Sequence, residues 1–238
     1  MKLVKTVLAT AVAAVAFSAT TQAEVTTNIA VSSDYVWRGV SQTYYGSSVS
    51  GGIDYADESG FYAGAWASNT GYGGGELDLY AGFAGEAGDF GYSIGYLLYA
   101  YPTVDDYNFG EITLDFSYDI LSFGMAYTIH SDWGDGMPFV EGDVYLYAGA
   151  SFDLGNDWSL GLTAGYYDFD NDGVDNDGAV LESYGHVQVD LGKSYGDWGD
   201  FAFSVSLAEE GAADPNVGFS NNENADQPLF FVTWAKGF

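Results

Sequence analysis

The sequence predicts an all-β protein, a transmembrane antiparallel up-and-down β-barrel of about 12 strands, with about 10 or 14 as alternatives. Three observations predict it. Apolar residues recur at every second position through one segment after another. The connections between these segments alternate between short and long. The 238 residues include 33 Gly, 20 Tyr, 16 Phe and 6 Trp but no Cys, a composition suited to closely packed strands with aromatic borders.

The alternation is plain along much of the chain. Leu77, Leu79, Ala81 and Phe83 interleave with Glu76, Asp78, Tyr80 and Gly82. Ile112, Leu114 and Phe116 interleave with Glu111, Thr113 and Asp115. Val144, Leu146, Ala148 and Ala150 interleave with Asp143, Tyr145, Tyr147 and Gly149. A period of two puts one set on each face of a strand. Segments of this kind fall near 26–38, 48–56, 60–69, 76–86, 90–100, 108–118, 121–131, 142–153, 158–168, 181–191, 201–209 and 228–238. Most have the length of a tilted strand crossing a bilayer. The segments at 60–69 and 90–100 are apolar on both faces, so their pattern specifies register weakly.

The connections sort by length. Asp57–Ser59, Ala87–Asp89, Asp119–Ile120 and Leu154–Asp157 are short, and a somewhat longer one runs from Gly192 to Asp200. The intervening connections reach Asp132–Glu141, Phe169–Val180 and Glu210–Gln227. Short periplasmic turns alternating with longer outer loops are the mark of an outer-membrane barrel. Aromatic residues cluster at both ends of the segments, with Phe61, Phe90, Tyr92, Phe116, Tyr118, Phe152, Trp158, Phe201 and Phe238 near the short turns. Tyr35, Trp37, Tyr99, Tyr127 and Tyr166 fall near the long loops. Rings in two belts match the two headgroup layers. On the last segment Phe230, Val232, Trp234 and Phe238 share one face, resembling the signal read by the barrel assembly machinery. Lys236 interrupts that face and can snorkel to the interface.

Residues 1–23 read as a cleaved secretory signal peptide. Lys2 and Lys5 precede the apolar stretch Val7–Phe17, and Thr21-Gln22-Ala23 supplies small residues before Glu24. Residues 24–238 then form the barrel. The full chain has 34 acidic and 5 basic residues, and removal of the leader leaves 3 basic residues and a formal charge of −31. Such a charge repels phosphate backbones and excludes nucleic acid as a partner. The lack of cysteine excludes disulfides and thiolate chemistry. Export without cysteines points to the envelope of a Gram-negative bacterium, with outer-membrane lipids, lipopolysaccharide and the assembly machinery as partners. Nothing in the sequence marks an oligomer interface.

Specific motifs add a resemblance. Ser33-Asp34-Tyr35-Val36-Trp37-Arg38-Gly39-Val40-Ser41-Gln42 resembles the SDYxxRGxSQ opening of the TorF-like porin family. Glu58–Asn69 and Glu76–Gly82 resemble its second and third blocks. The resemblance spans nearly the whole mature chain, with its distinctive motifs before residue 101, and it implies an outer-membrane barrel with a porin role. It implies no substrate and assigns no residue.

If the apolar faces meet lipid, the opposite faces line the lumen. The candidate lining residues are Arg38, Asp54, Glu76, Asp78, Glu111, Asp115, Asp143, Glu182, His186 and Asp190, with Tyr80, Tyr145 and Tyr147 among them. Rings of carboxylates concentrate cations, so the expected function is passive diffusion of small hydrophilic solutes or ions with a cation preference. The alternative is a non-conducting surface barrel whose acidic loops bind divalent cations or a cell-surface partner. Arg38, one of three cations after the leader, is expected on the first strand, facing inward beside Asp34 and pairing with wall carboxylates. Asp168, Asp170, Asp172, Asp175 and Asp177 begin like a calcium loop. Ala179 stands at the position where the bidentate Glu is needed, which leaves weak surface Ca²⁺ binding and no other cofactor. His130 and Asp132 pair near the outer rim without a second acidic pair, and neither histidine supplies a lipid-facing Ser–His arrangement, so no enzyme is expected.

Overall fold

A computed structural model of the chain describes residues 23–71, 74–134, 137–173, 175–176, 179–209 and 227–238. Apart from Ala23, the expected leader lies outside these residues. Twelve long strands form one closed barrel. They are β1 (Glu24–Ser32), β2 (Ser48–Ala56), β3 (Phe61–Asn69), β4 (Gly75–Ala87), β5 (Phe90–Ala100) and β6 (Phe109–Tyr118). The second half comprises β7 (Leu121–Ser131), β8 (Val144–Gly155), β9 (Trp158–Asp168), β10 (Tyr184–Ser194), β11 (Asp200–Ala208) and β12 (Leu229–Gly237). Each strand pairs antiparallel with the next in sequence, and β12 returns to β1 through pairs such as Val31↔Trp234. Closure leaves no open sheet edge, which is what lets strands cross hydrocarbon.

The period-two pattern lands as expected. Val31, Ile53, Leu79, Phe83, Ile94, Phe123, Leu146, Leu162, Val189, Val205 and Val232 all point outward and are exposed. In water so continuous an apolar wall would drive aggregation; against lipid it is the favoured surface. The short turns follow local chemistry. Asn156 and Asp157 join β8 to β9 with φ of 52° and 61°, the positive pair that a two-residue type I′ hairpin requires and that Asn and Asp tolerate. The two segments with weak patterns, β3 and β5, pair with both neighbours in unbroken register. Their neighbours specify what their own residues do not.

Three expected boundaries are corrected. The first strand ends at Ser32 rather than 38; Ser33 still bonds Val232 of β12, and residues 34–43 leave the wall and turn into the lumen. The tenth runs 184–194 rather than 181–191, so Glu182 is an exposed loop residue and not part of the lining. The eighth begins at Val144, which leaves Asp143 in the loop before it. Turn formers stand at each break, Ser33-Asp34, Glu182-Ser183 and Gly142-Asp143; Asp143 closes a local turn on Val140, whereas Asp34 binds Ser41 and Thr43 and Ser183 binds Phe169 and Asp172.

Candidate functional site

The chain entering the lumen is a small hairpin. Val36–Trp37 pairs with Val40–Ser41 across Arg38 and Gly39, whose φ values of 47° and 87° make a tight turn. Asp34 holds its base by accepting the hydroxyls of Ser41 at 2.7 Å and Thr43 at 2.8 Å. Burial pushes the Asp34 carboxyl above its ordinary pKa, and these hydrogen bonds oppose that rise. Asp34 is therefore a scaffold of the hairpin and not the partner of Arg38.

The tip of the hairpin reaches the opposite wall. Arg38 donates Nη1 to Glu111 Oε1 at 2.8 Å and Nη2 to Oε2 at 2.6 Å, with side chains 8% and 1% exposed. Its guanidinium carbon also sits 4.3 Å from the Trp37 ring centre, 4.2 Å from Tyr145 and 5.0 Å from Tyr167. A planar cation suits this setting, since it forks onto a carboxylate and stacks on rings at once. Gly39 passes close to the wall, and a Cβ there would stand 2.7 Å from that of His186.

Around this centre the half of the lumen next to the long loops is filled. Trp37 meets Tyr99, Phe109, Phe139 and Tyr167, and Tyr99 stacks on Phe109 at 4.4 Å between centroids. Phe139 enters from the loop between β7 and β8, and Phe169 from that between β9 and β10. Tyr35, Trp37 and Tyr99 are thus buried plug residues, whereas Tyr127 and Tyr166 lie on the outer face as the belt expectation required. Tyr145 and His186 share a hydrogen bond at 2.8 Å. That pair fits because Gly165, beside both, has no side chain.

The remaining acidic candidates divide. Glu76, Asp78, Glu111 and Asp190 are buried on the inner wall. Glu76 accepts the hydroxyls of Tyr35 at 2.5 Å and Tyr101 at 2.7 Å, and Asp190 accepts from Ser204 at 2.6 Å and Gln188 at 2.9 Å. Asp54, bonded to the Tyr80 hydroxyl, and Asp115, bonded to Tyr147 at 2.6 Å and Ser93 at 2.9 Å, face the lumen nearer the short turns and are only half-buried. Asp143 is buried at the base of the loops, where its oxygens accept the amides of Asp170 at 2.9 Å and Val140 at 3.2 Å. Burial pushes its carboxyl up to about 7, against the pull of those amides. Asp143 is a clamp between two loops rather than a wall residue.

Two residues of the calcium-like run are engaged within their own loop. Ser183 donates its amide to Asp172 at 2.7 Å and its hydroxyl to Asp168 at 3.4 Å. Asp170 faces the Asp143 clamp. Asp175 is described only in its backbone, within a two-residue pairing with 179–180, and Asp177 lies outside the described residues. His130 and Asp132 are exposed and 3.7 Å apart. On β12, Phe230, Val232 and Trp234 do share the outer face, and Phe238 continues it. Lys236 is turned to the Asp197 carbonyl at 2.6 Å.

The residues that alternation alone missed are Tyr167, Phe109 and Phe139, which complete the plug. One signal for an inward turn was present, the run Ser32-Ser33-Asp34 followed by Arg38-Gly39, which interrupts alternation twice with turn formers.

A comparison of the sequence with family profiles matches residues 16–199 to Gcw_chp, described as a bacterial protein of unknown function. The chain belongs to the Gcw_chp family. A comparison with curated proteins finds no match. Among solved structures, this Gcw_chp protein resembles the KdgM porin, with a TM-score of 0.58 and 11% identity over 90% of this chain and 99% of that one. A KdgM porin in complex with disordered oligogalacturonate gives a TM-score of 0.52 and 10% identity over 89% and 96%. At such identity the likeness is one of fold. The Gcw_chp chain has a porin-like barrel.

Proposed function

We propose that this chain is an outer-membrane porin for passive diffusion of small hydrophilic solutes or ions, with a preference for cations, and that the hairpin at 34–43 governs the width of its passage. The supporting observation is the uneven filling of the lumen. Inward positions on β2–β9 nearer the short turns, such as Gly64, Gly82, Thr113, Gly149, Ser151 and Thr163, are half-exposed inside a closed barrel. A barrel packed throughout would bury them. Asp54 and Asp115 give this open half a negative wall. Arg38 is committed to Glu111, and Lys193 and Lys236 hold backbone carbonyls at the short-turn rim. A wall of this sign attracts cations and repels polyanions such as the oligogalacturonate in the KdgM complex.

The hairpin is built from the residues that resemble the TorF-like opening, which supports reading that motif as the plug of a porin. A signal-directed route to the Gram-negative outer membrane, with lipid and lipopolysaccharide around the barrel, belongs to the same reading. The Arg38–Glu111 pair and its ring cage favour a second reading, a non-conducting surface barrel whose acidic loops bind divalent cations or a partner. Planar-bilayer recording separates the two. Discrete current steps with cation preference, enlarged by Trp37→Gly, support the porin. Silence from both wild type and a variant lacking residues 35–41 favours the surface barrel.

A further inference from the structure

We propose that Lys193 and Lys236 each hold the headgroup of a phospholipid that carries both a phosphate and a primary ammonium (phosphatidylethanolamine), at the short-turn rim of the barrel. Such binding belongs to the outer surface and is independent of whether the lumen conducts. After the leader the chain has three Lys and Arg residues against 34 acids. Arg38 is taken by Glu111 inside the lumen. The other two cations both lie on the outer face, at the short-turn ends of β10 and β12. With all three placed, the long-loop rim has no lysine or arginine on its outer surface. A phosphate in a headgroup layer therefore meets a lysine or arginine of this protein only between β9 and β12.

The surroundings of each lysine suit a headgroup. Lys193 pairs across strands with Trp158 on β9 and Phe201 on β11. Its ammonium lies 5.5 Å from the Trp158 ring centre and 5.6 Å from that of Tyr195, and donates to the Asn156 carbonyl at 2.6 Å. The Lys236 ammonium lies 5.3 Å from the Phe238 ring centre and donates to the Asp197 carbonyl at 2.6 Å. The next residue in that turn is Trp198, 82% exposed, whose carbonyl accepts the Trp234 indole N–H at 2.8 Å. Exposed rings of this kind sit at the headgroup layer of a bilayer. An ammonium with one hydrogen bond made keeps its other donors for a phosphate. Carboxylates stand beside both lysines. Asp157 Oδ2 is 4.0 Å from the Lys193 ammonium on a side chain 74% exposed, and Asp197 is exposed at the carbonyl that Lys236 holds. A purely anionic headgroup is repelled by these acids, whereas a zwitterionic one sets its phosphate on the lysine and its ammonium on the carboxylate. The lysines stand two strands apart, so each takes its own headgroup.

The test is native mass spectrometry of the folded barrel in detergent, titrated with phosphatidylethanolamine, phosphatidylglycerol or phosphatidylcholine of identical acyl chains. Expected is retention of phosphatidylethanolamine ahead of the other two. Lys193→Gln and Lys236→Gln should each weaken that retention by roughly tenfold at the altered site, the loss of one charge-assisted hydrogen bond. Lys193→Arg with Lys236→Arg should retain the lipid, which separates lost charge from a disturbed rim. Asp157→Asn should let phosphatidylglycerol gain on phosphatidylethanolamine. Equal retention of all three lipids by the wild type, or an unchanged preference with both lysines replaced by Gln, overturns the proposal. Phosphatidylglycerol held more tightly than phosphatidylethanolamine by the wild type overturns it too, since the rim is then a plain anion site. So does a dimer that dissociates when both lysines become Gln, which would make the rim a contact between two copies of the chain. A wild type silent in the bilayer recordings above that still shows the lysine-dependent preference rejects the porin and keeps the lipid site.

Discussion

Arg38 and Glu111 lie 73 residues apart in sequence and meet in a two-pronged ion pair inside the barrel, from a hairpin tip to the wall of β6. Replacing Arg38 with Ala leaves Glu111 as an unpaired buried charge, an effect of about 3–5 kcal/mol in comparable pairs. Arg38→Ala is therefore expected to lower unfolding free energy in lipid vesicles by that order and to alter single-channel conductance or selectivity. Arg38→Lys keeps the charge but loses the fork and should fall between. The double change Arg38→Met with Glu111→Leu should recover much of the stability. Wild-type stability and conductance in Arg38→Ala would remove the pair from both roles.

Gly39 tests the seating of the hairpin. Its φ of 87° and the 2.7 Å approach to the Cβ of His186 leave no room for a side chain. Gly39→Ala carries a conformational penalty of about 1–2 kcal/mol before the clash is counted, so the hairpin should lift from the wall. Hydrogen exchange at the Gln42 amide, which is bonded to the Tyr35 carbonyl at 2.6 Å, should then speed up by at least tenfold while β5 and β6 stay protected. Unchanged protection at Gln42 would show the seating to be looser than the geometry implies.

Asp143 gives the loops a pH dependence of defined sign. Its folded pKa of about 7 lies above the ordinary value near 3.9. The folded state therefore binds more protons between those limits. Stability from this group is present below about pH 4, falls as pH rises through the window and is gone above about 7. Protection factors of the Val140 and Asp170 amides should fall across that range in the wild type. In Asp143→Asn they should stay level; a parallel fall there would assign the effect to another group.

Leu79 tests the lipid face directly. It points outward near the middle of β4, where an introduced arginine in a membrane barrel costs roughly 2–4 kcal/mol. Leu79→Arg should lower the unfolding free energy in bilayers by that amount. Val25→Arg, near the end of β1, should cost well under half as much. Equal, small losses at both sites would mean that depth in a bilayer does not govern this surface.

Much of the fold was legible because it rests on period two. Leu77 to Phe83 specify which face of β4 meets lipid whatever the rest of the chain does, and each such strand needs only the same kind of neighbour to close a barrel. The candidate site was legible in parts. Glu76, Asp78, Glu111, His186 and Asp190 were placed on the inner face by parity alone. Arg38 was recognised as an inward cation, but its position on a wall strand beside Asp34 was wrong. Parity cannot register a chain that leaves the sheet, and Asp34 was already engaged by Ser41 and Thr43.

By itself, then, the sequence determined the barrel, its strand count to within a step, its two faces and the sorting of its turns, because these depend on local alternation and on turn chemistry spanning a few residues. Only the tertiary structure decided that the segment from Asp34 to Thr43 folds inward, that Tyr99 and Trp37 fill a lumen rather than border a membrane, and that Arg38 answers Glu111. Those outcomes depend on which groups from distant strands share one enclosed space. There the burial of a charge is tolerated only if a partner arrives, and no local pattern names that partner.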